Sequence, residues 1–380
     1  MTMIPFNKPY LTGKETDYIH QAVYSGKLSG NGLFTKKCQT FFEEKYRFKK
    51  ALMTTSCTDA LEMTAILSGI KEGDEVIVPS YTFVSSALAF VRQGAKIIFA
   101  DSCSLQPNID VDKLESLITE KTKVIVPVHY AGVACEMDKI MLLAEKYNLI
   151  VVEDAAQAID SYYKEKPLGC FGHFSTFSFH ETKNVIAGEG GLLVINDERF
   201  IKRAEIIWEK GTNRAEFFRG EINKYGWVDT GSSFLPSELI SAFLFAQLEC
   251  IDDIQKRRKN LWDNYFSGLK NLADMGFFRL PEIPQFATNN AHMFYLVCRS
   301  LDERSSLIDY LRQKDILSVF HYLSLHKSPF CGVQYEQITL PNSDHYTDCL
   351  VRLPLFYELT EEQQFFIISQ IKSFFNKIKP

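Results

Sequence analysis

A chain of 380 residues is too long for one ordinary core and suits two domains, at typical domain sizes of roughly 100–200 residues. Hydrophobic residues make up 46% of it and Phe alone numbers 30, so a large core can be buried and a disordered chain is excluded. The formal net charge of −5 gives no electrostatic footprint for a nucleic-acid partner.

The first ten residues carry Pro5 and Pro9 and lack the apolar stretch of a secretory signal. No apolar run approaches the roughly 20 residues that cross a bilayer, so a soluble cytoplasmic protein without a membrane partner is expected. The nine cysteines are scattered without a C-x-x-C pair, which reads as reduced thiols rather than a disulfide framework or a zinc site. No metal is expected from the histidines either, because none shows ligand spacing.

From about residue 55 to 200 short apolar runs alternate with helical patterns, which predicts an α/β domain with a mostly parallel sheet covered by helices on both faces. Strands are predicted over Glu75–Pro79, Lys96–Asp101, Lys123–Val128, Leu149–Glu153, Ser175–Phe179 and Leu192–Ile195, with helices at Asp59–Ser68 and Met137–Tyr147 among them. After about residue 245 the pattern changes to a long charged helix from Ile251 to about Asn271, a strand at Met293–Cys298, a helix near Arg304–Lys314 and a last helix at Glu361–Ile378. The expected division is therefore a large domain over 1–245 and a smaller α+β domain over 246–380. The basic run Lys256-Arg257-Arg258-Lys259 reads as a solvated helix face, with a contact to an anionic ligand or partner as the alternative.

Four local elements carry chemistry. Thr55-Ser56-Cys57-Thr58-Asp59 opens a predicted helix, whose free N–H groups suit an anion such as a phosphate, although Ser and Thr are also ordinary helix caps. Pro79-Ser80-Tyr81-Thr82-Phe83 follows a strand and offers a ring that could stack on a flat ligand, or plain core aromatics. Val151-Val152-Glu153-Asp154-Ala155-Ala156-Gln157 ends a strand in two carboxylates, at the end where open α/β sheets bind ligands. Ser178-Phe179-His180-Glu181-Thr182-Lys183-Asn184 places a lysine on the turn beyond a strand, before Gly188-Glu189-Gly190-Gly191. A pyridinium cofactor needs a carboxylate beside its ring nitrogen and a lysine to hold its aldehyde as an imine; Asp154 and Lys183 could fill these roles.

In this order the four elements resemble the sugar aminotransferase family, a pyridoxal-phosphate-dependent branch of the aspartate aminotransferase fold. The similarity spans the chain, from Ile4-Pro5-Phe6-Asn7-Lys8-Pro9 to Arg352-Leu353-Pro354-Leu355-Phe356. The resemblance implies that Lys183 is the catalytic residue and holds the cofactor, that Asp154 pairs with the ring nitrogen, that Gln157 reaches the ring hydroxyl and that Phe83 stacks on the ring. Cys57, Thr58 and Ser178 are implied phosphate ligands. Where many members carry G-x-N-x-R across a dimer interface, this chain has Gly231-Ser232-Ser233-Phe234-Leu235, which leaves Ser233 as the implied contact from a neighbouring subunit.

The segments Val128–Asp138, Phe177–Asn184 and Glu209–Arg214 are similar to the branch of the family that aminates dTDP-4-keto-6-deoxyglucose. That implies glutamate as amino donor, pyridoxamine phosphate as the alternate cofactor form, a homodimer, and dTDP-4-amino-4,6-dideoxygalactose as product. The gluco isomer, a 3-amino sugar, a dehydratase and a non-catalytic relative are the alternatives. His180, Arg219, Lys27 and Lys224 are candidate contacts to the nucleotide sugar.

Overall fold

The computed structural model describes residues 3–332, 335 and 337–376. Its strands in chain order are β1 Lys50–Thr54, β2 Glu75–Pro79, β3 Lys96–Ala100, β4 Thr122–Ile125, β5 Ile150–Asp154, β6 Tyr162–Tyr163, β7 Lys166–Pro167, β8 Phe174–Ser178, β9 Gly191–Ile195, β10 Phe294–Val297, β11 Val319–Phe320 and β12 Leu350–Leu353. Seven of them form one sheet in the order β1-β9-β8-β5-β4-β2-β3. All its neighbouring pairs are parallel except those made by β9, which runs against both β1 and β8. The expected α/β class with a mostly parallel sheet is what forms. β1 in this sheet, and β6, β7, β11 and β12 outside it, are additions to the predicted strands.

Side chains alternate across the sheet, as a strand's period of two requires. Ala51, Met53, Val151 and Val194 face one buried cluster with Phe42, Ile140 and Leu244 from the helices Leu33–Tyr46, Met137–Tyr147 and Glu238–Leu248. Leu52, Val152 and Leu193 face another with Leu61, Phe90 and Ile207 from Cys57–Leu67, Ser85–Val91 and Ile201–Trp208. Helices thus cover both faces, and the central strands are buried between them.

A further core gathers the helices Ile251–Asp274, Leu301–Arg312 and Glu361–Phe375 against the sheet β10-β12-β11. The long helix shows why its basic run departs from the expected solvated face. Arg258 is 4% exposed and donates to the carbonyls of Ala291 and His292 at 3.1 and 2.7 Å, and Arg257 donates to those of Tyr357 and Leu359. Burial pushes the Arg258 guanidinium down to about 10. Ile4 also belongs to this core and bridges to Ile316, so the first residues pack on the last third of the chain. No described helix is long and apolar enough to cross a membrane.

One buried pair fixes the strand that leads into the site. Glu153 on β5 accepts from His129 Nε2 at 3.0 Å and from the N–H groups of Gly169, Phe171 and Gly172 at 3.0, 2.7 and 2.7 Å. Burial alone would push its carboxyl up; the His129 contact and these backbone donors outweigh it and hold the group below the usual 4.5. A depressed carboxyl contributes stability above its unfolded pKa and loses it as pH falls through the folded one. Glu153→Ala is therefore expected to cost about 3–5 kcal/mol in chemical denaturation at neutral pH. In Glu153→Gln the loss of stability on acidification below about 4.5 should be smaller than in the parent protein. Equal acid slopes would mean that Glu153 contributes nothing to acid sensitivity.

Candidate active site

The strands β1, β2, β3, β4, β5 and β8 run the same way, so Thr54, Pro79, Ala100, Ile125, Asp154 and Ser178 end on one edge of the sheet. The antiparallel β9 enters there at Gly191. Neighbouring β5 and β8 pair Asp154 with Thr176 and bring the carboxylate beside the strand that leads to Lys183.

Asp154 is 5% exposed, and a carboxylate that deep needs donors. The Ser86 hydroxyl donates to Oδ2 at 2.6 Å and the Ala156 N–H to Oδ1 at 3.1 Å, while the Thr82 and Ser86 hydroxyls lie 3.0 Å apart. Lys183 is half-buried on the turn between β8 and β9, its own N–H bonded to the carbonyl of His180. Burial holds its amine below the ordinary 10.5; the Cys57 thiol and the Asp154 carboxylate pull the other way, and the Arg352 guanidinium adds to the lowering. Cys57, Asp154 and Lys183 therefore share one electrostatic environment.

The turn is anchored by the next residue. Asn184 donates to Gln255 Oε1 at 2.7 Å and to the carbonyl of Asn290 at 2.8 Å, and its Oδ1 lies 2.9 Å from His292 Nδ1. Burial and the positive charges of Lys183, Arg258 and Arg352 push His292 well below the usual histidine value, so the neutral ring donates Nδ1–H to Asn184.

Helix Cys57–Leu67 starts at the same edge. The Ser56 side chain caps it by accepting the Asp59 N–H at 3.1 Å, and the Ser56 carbonyl takes the Ala60 N–H, which leaves the N–H groups of Cys57 and Thr58 for an anion. β9 crosses this start so closely that a Cβ on Gly191 would lie 2.4 Å from the Ser56 carbonyl and 2.5 Å from the Cys57 nitrogen. Thr58 Oγ1 lies 2.8 Å from Ser85 Oγ.

Gln157 is held on both sides, accepting from the Ala131 N–H at 2.6 Å and donating to the Tyr322 hydroxyl at 2.9 Å. Phe83 is 55% exposed, with its ring 6.0 Å from that of Tyr322, which stacks on His321 at 3.6 Å. Ser178, half-buried at the end of β8, accepts weakly from the His180 N–H at 3.4 Å. His180 Nδ1 lies 3.0 Å from Thr182 Oγ1, and Ser233 is exposed next to Phe234, whose carbonyl takes the Thr55 N–H.

Two candidates stand apart. Arg219 binds Glu205 at 2.8 Å and Glu221 at 2.7 Å, and Glu205 also pairs with Lys50 at the first residue of β1, the opposite end of the sheet. Arg219 thus takes no part in the site of its own chain, because two carboxylates hold it elsewhere. Lys27 is exposed, with its amine on the carbonyl of Asn31, and the structure gives it no contact to the site either. The opposite edge also carries a cavity of about 1230 Å³, where Lys45, Lys49 and Lys164 are paired with Asp252, Glu198 and Asp138.

Residues 9–372 match the family model described as the DegT/DnrJ/EryC1/StrS aminotransferase family. The chain belongs to this family. A GDP-perosamine synthase of Escherichia coli O157:H7 is 32% identical over 380 residues, covering 99% of this chain and 100% of that protein. The spore coat polysaccharide biosynthesis protein SpsC of Bacillus subtilis is 31% identical, covering 97% and 96%. Among solved structures, a Streptococcus pneumoniae protein described as a sugar aminotransferase, in its pyridoxamine-phosphate form, superposes with a TM-score of 0.92 at 26% identity and covers 99% and 100%.

As a member of the DegT/DnrJ/EryC1/StrS family the chain is a sugar transaminase with pyridoxal phosphate as cofactor. The residues present fit that group: one edge presents a buried carboxylate, an amine that burial holds below its ordinary pKa and a helix start with free N–H groups. The sequence did not point to Ser86, His292 or Tyr322, for which no local pattern exists, and gave no role to Asn184 at the end of the lysine motif. Gly191→Ala, which drives a methyl group into the Ser56–Cys57 peptide, is expected to weaken cofactor binding roughly tenfold or more. Absorbance titration of the cofactor-free protein with pyridoxal phosphate checks this, and parental affinity would separate the helix start from the cofactor.

Proposed function

We propose that this family member moves an amino group from glutamate to C4 of a nucleotide-linked 4-keto-6-deoxy sugar, dTDP-4-keto-6-deoxyglucose, and forms dTDP-4-amino-4,6-dideoxygalactose. The observation that carries the reading is the placement of the depressed Lys183 amine beside Asp154 on one sheet edge. The likeness of Val128–Asp138, Phe177–Asn184 and Glu209–Arg214 to the dTDP branch supports the choice of sugar.

In this reading Lys183 holds the cofactor and Asp154 faces its ring nitrogen. Cys57, Thr58, Ser178 and a partner subunit's loop bearing Ser233 hold its phosphate, with Gln157 and Phe83 against the ring. Pyridoxal phosphate, when bound, supplies an aldehyde for the substrate nitrogen and a ring that takes up the electrons of the broken C–H bond. The Lys183 amine removes the proton from the α-carbon of the amino acid and returns one to C4 of the sugar. A base must be uncharged to accept a proton, and burial keeps this amine closer to that state than an exposed lysine would be. Asp154, held by Ser86 and Ala156, keeps its charge oriented without reorganising. His180, three residues before Lys183, borders the sugar.

A second reading, favoured by the 32% identity to a GDP-perosamine synthase, keeps the chemistry and exchanges the nucleotide for GDP. Purified enzyme offered glutamate with dTDP-linked and GDP-linked 4-keto-6-deoxy sugars decides between them. The expected outcome is turnover of the dTDP substrate, with NMR showing an axial C4 amine. Preference for the GDP substrate would overturn that choice.

Borohydride reduction and peptide mapping are expected to find the cofactor on Lys183, and Lys183→Ala should lose that label and roughly 10²–10⁴-fold in rate. Transamination should rise with pH through a value below 10.5 as the amine loses its proton, and a rise only above 10.5 would contradict the depressed lysine.

A further inference from the structure

Two arginines are largely withdrawn from water near the site, and they are treated differently. Arg258 donates to three backbone carbonyls, of Ala291, His292 and Leu355. Arg352 on β12 has neither a hydrogen bond nor a carboxylate partner among the described residues, and its Nε is buried without an acceptor. Its one contact of note is the Phe6 ring, 4.6 Å from the guanidinium, which attracts the cation and leaves its charge uncompensated. A buried cation without counter-charge is costly to keep, and a fold retains one where a ligand supplies the anion.

Arg352 is placed to meet the reacting groups. It sits opposite Tyr295 on β10 and Val319 on β11, and directly opposed residues share a face of a sheet. The Tyr295 ring lies 5.9 Å from that of Tyr130, whose hydroxyl is 2.6 Å from His321 Nδ1. On the other side, Asn7 next to Phe6 donates to the carbonyl of Glu181, two residues before Lys183. The guanidinium therefore lies between the tyrosine cluster and the Lys183 turn, and its charge reaches Lys183, His292 and His321.

The geometry points to Arg352 as the seat of the α-carboxylate of the amino acid that donates the nitrogen. This rests on the reading of Lys183 as the reacting amine. An anion held beside that amine must be bonded close to the carbon that loses its proton. In an α-amino acid the carboxylate is attached to that carbon, whereas in a nucleotide-linked 4-keto sugar the phosphates hang from C1, across the ring from C4. The planar guanidinium also matches a carboxylate with two parallel hydrogen bonds.

The test uses the cofactor-loaded enzyme and separates donor from nucleotide. Single-turnover titration with glutamate alone, read by loss of the visible band of the bound cofactor, is expected to need on the order of 100-fold more glutamate in Arg352→Met. Arg352→Lys should fall between variant and parent. Calorimetry with dTDP and GDP is expected to give the same Kd in Arg352→Met as in the parent. An unchanged glutamate requirement, or a nucleotide Kd weakened as much as the glutamate response, overturns the assignment. A second measurement needs no variant: 4-aminobutyrate, which is glutamate without its α-carboxylate, should convert the parent enzyme on the order of 100-fold less efficiently. Equal conversion also overturns it. If Lys183→Ala is still converted by glutamate as the parent is, what fails is the role of Lys183 instead.

Discussion

The parallel pairing of β5 with β8 is the constraint on which the site depends. It sets Asp154 opposite Thr176, one strand spacing of about 4.8 Å from the strand whose continuation carries Lys183. Two consecutive carboxylates on β5 then serve opposite faces. Glu153 turns to His129 and the 169–172 backbone and holds the strand in place, while Asp154 turns to Ser86 and the site. A shift of one residue in this register would exchange the two and leave the site without its carboxylate.

The electrostatics of the site follow from burial more than from pairing. His292 and His321 are pushed well below the ordinary histidine value, the hydroxyls of Tyr81, Tyr130 and Tyr322 are pushed up, and the Lys183 amine is pushed down. Each change favours the uncharged form, as desolvation requires. The polar walls are therefore neutral donors and acceptors, against which a few fixed charges stand out. In such surroundings a charge acts more strongly than it would in water. Transamination suits this setting, since its central step needs a neutral base and a held charge in the same small space.

The parts of the site that were legible in the sequence are those written within a few residues. The end of β5 with Asp154 and Gln157, the start of the helix at Cys57 and the turn at Lys183 each join a strand or helix boundary to a chemical group, and the sheet then gathers boundaries on one edge. Groups delivered by tertiary packing left no such trace. His321 and Tyr322 follow a strand of two residues, and Ser86 looks like any helix-start serine until Asp154 is beside it. β1 was missed because Ala51, Leu52 and Met53 prefer helices as readily as strands, and its pairing with β9 decides the matter. The run Lys256–Lys259 misled for a related reason: charge in a sequence does not reveal that carbonyls wait for both of its arginines.

The N-terminal residues join these two kinds of information. Ile4 bridges to Ile316, Phe6 covers Arg352, Asn7 bonds to the Lys183 turn, Lys8 pairs with Glu358 at 2.8 Å and Tyr10 stacks on Tyr357 at 3.7 Å. The same short extended segment therefore touches the β12 arginine, the turn that bears the reacting lysine and the residues that lead into the last helix. Pro5 and Pro9 reduce the freedom such a segment loses when it is fixed, which favours its use as a tie. Because Phe6 and Asn7 are adjacent, the position of the Arg352 guanidinium and that of the Lys183 turn are not independent: a displacement of one is carried through a single peptide to the other.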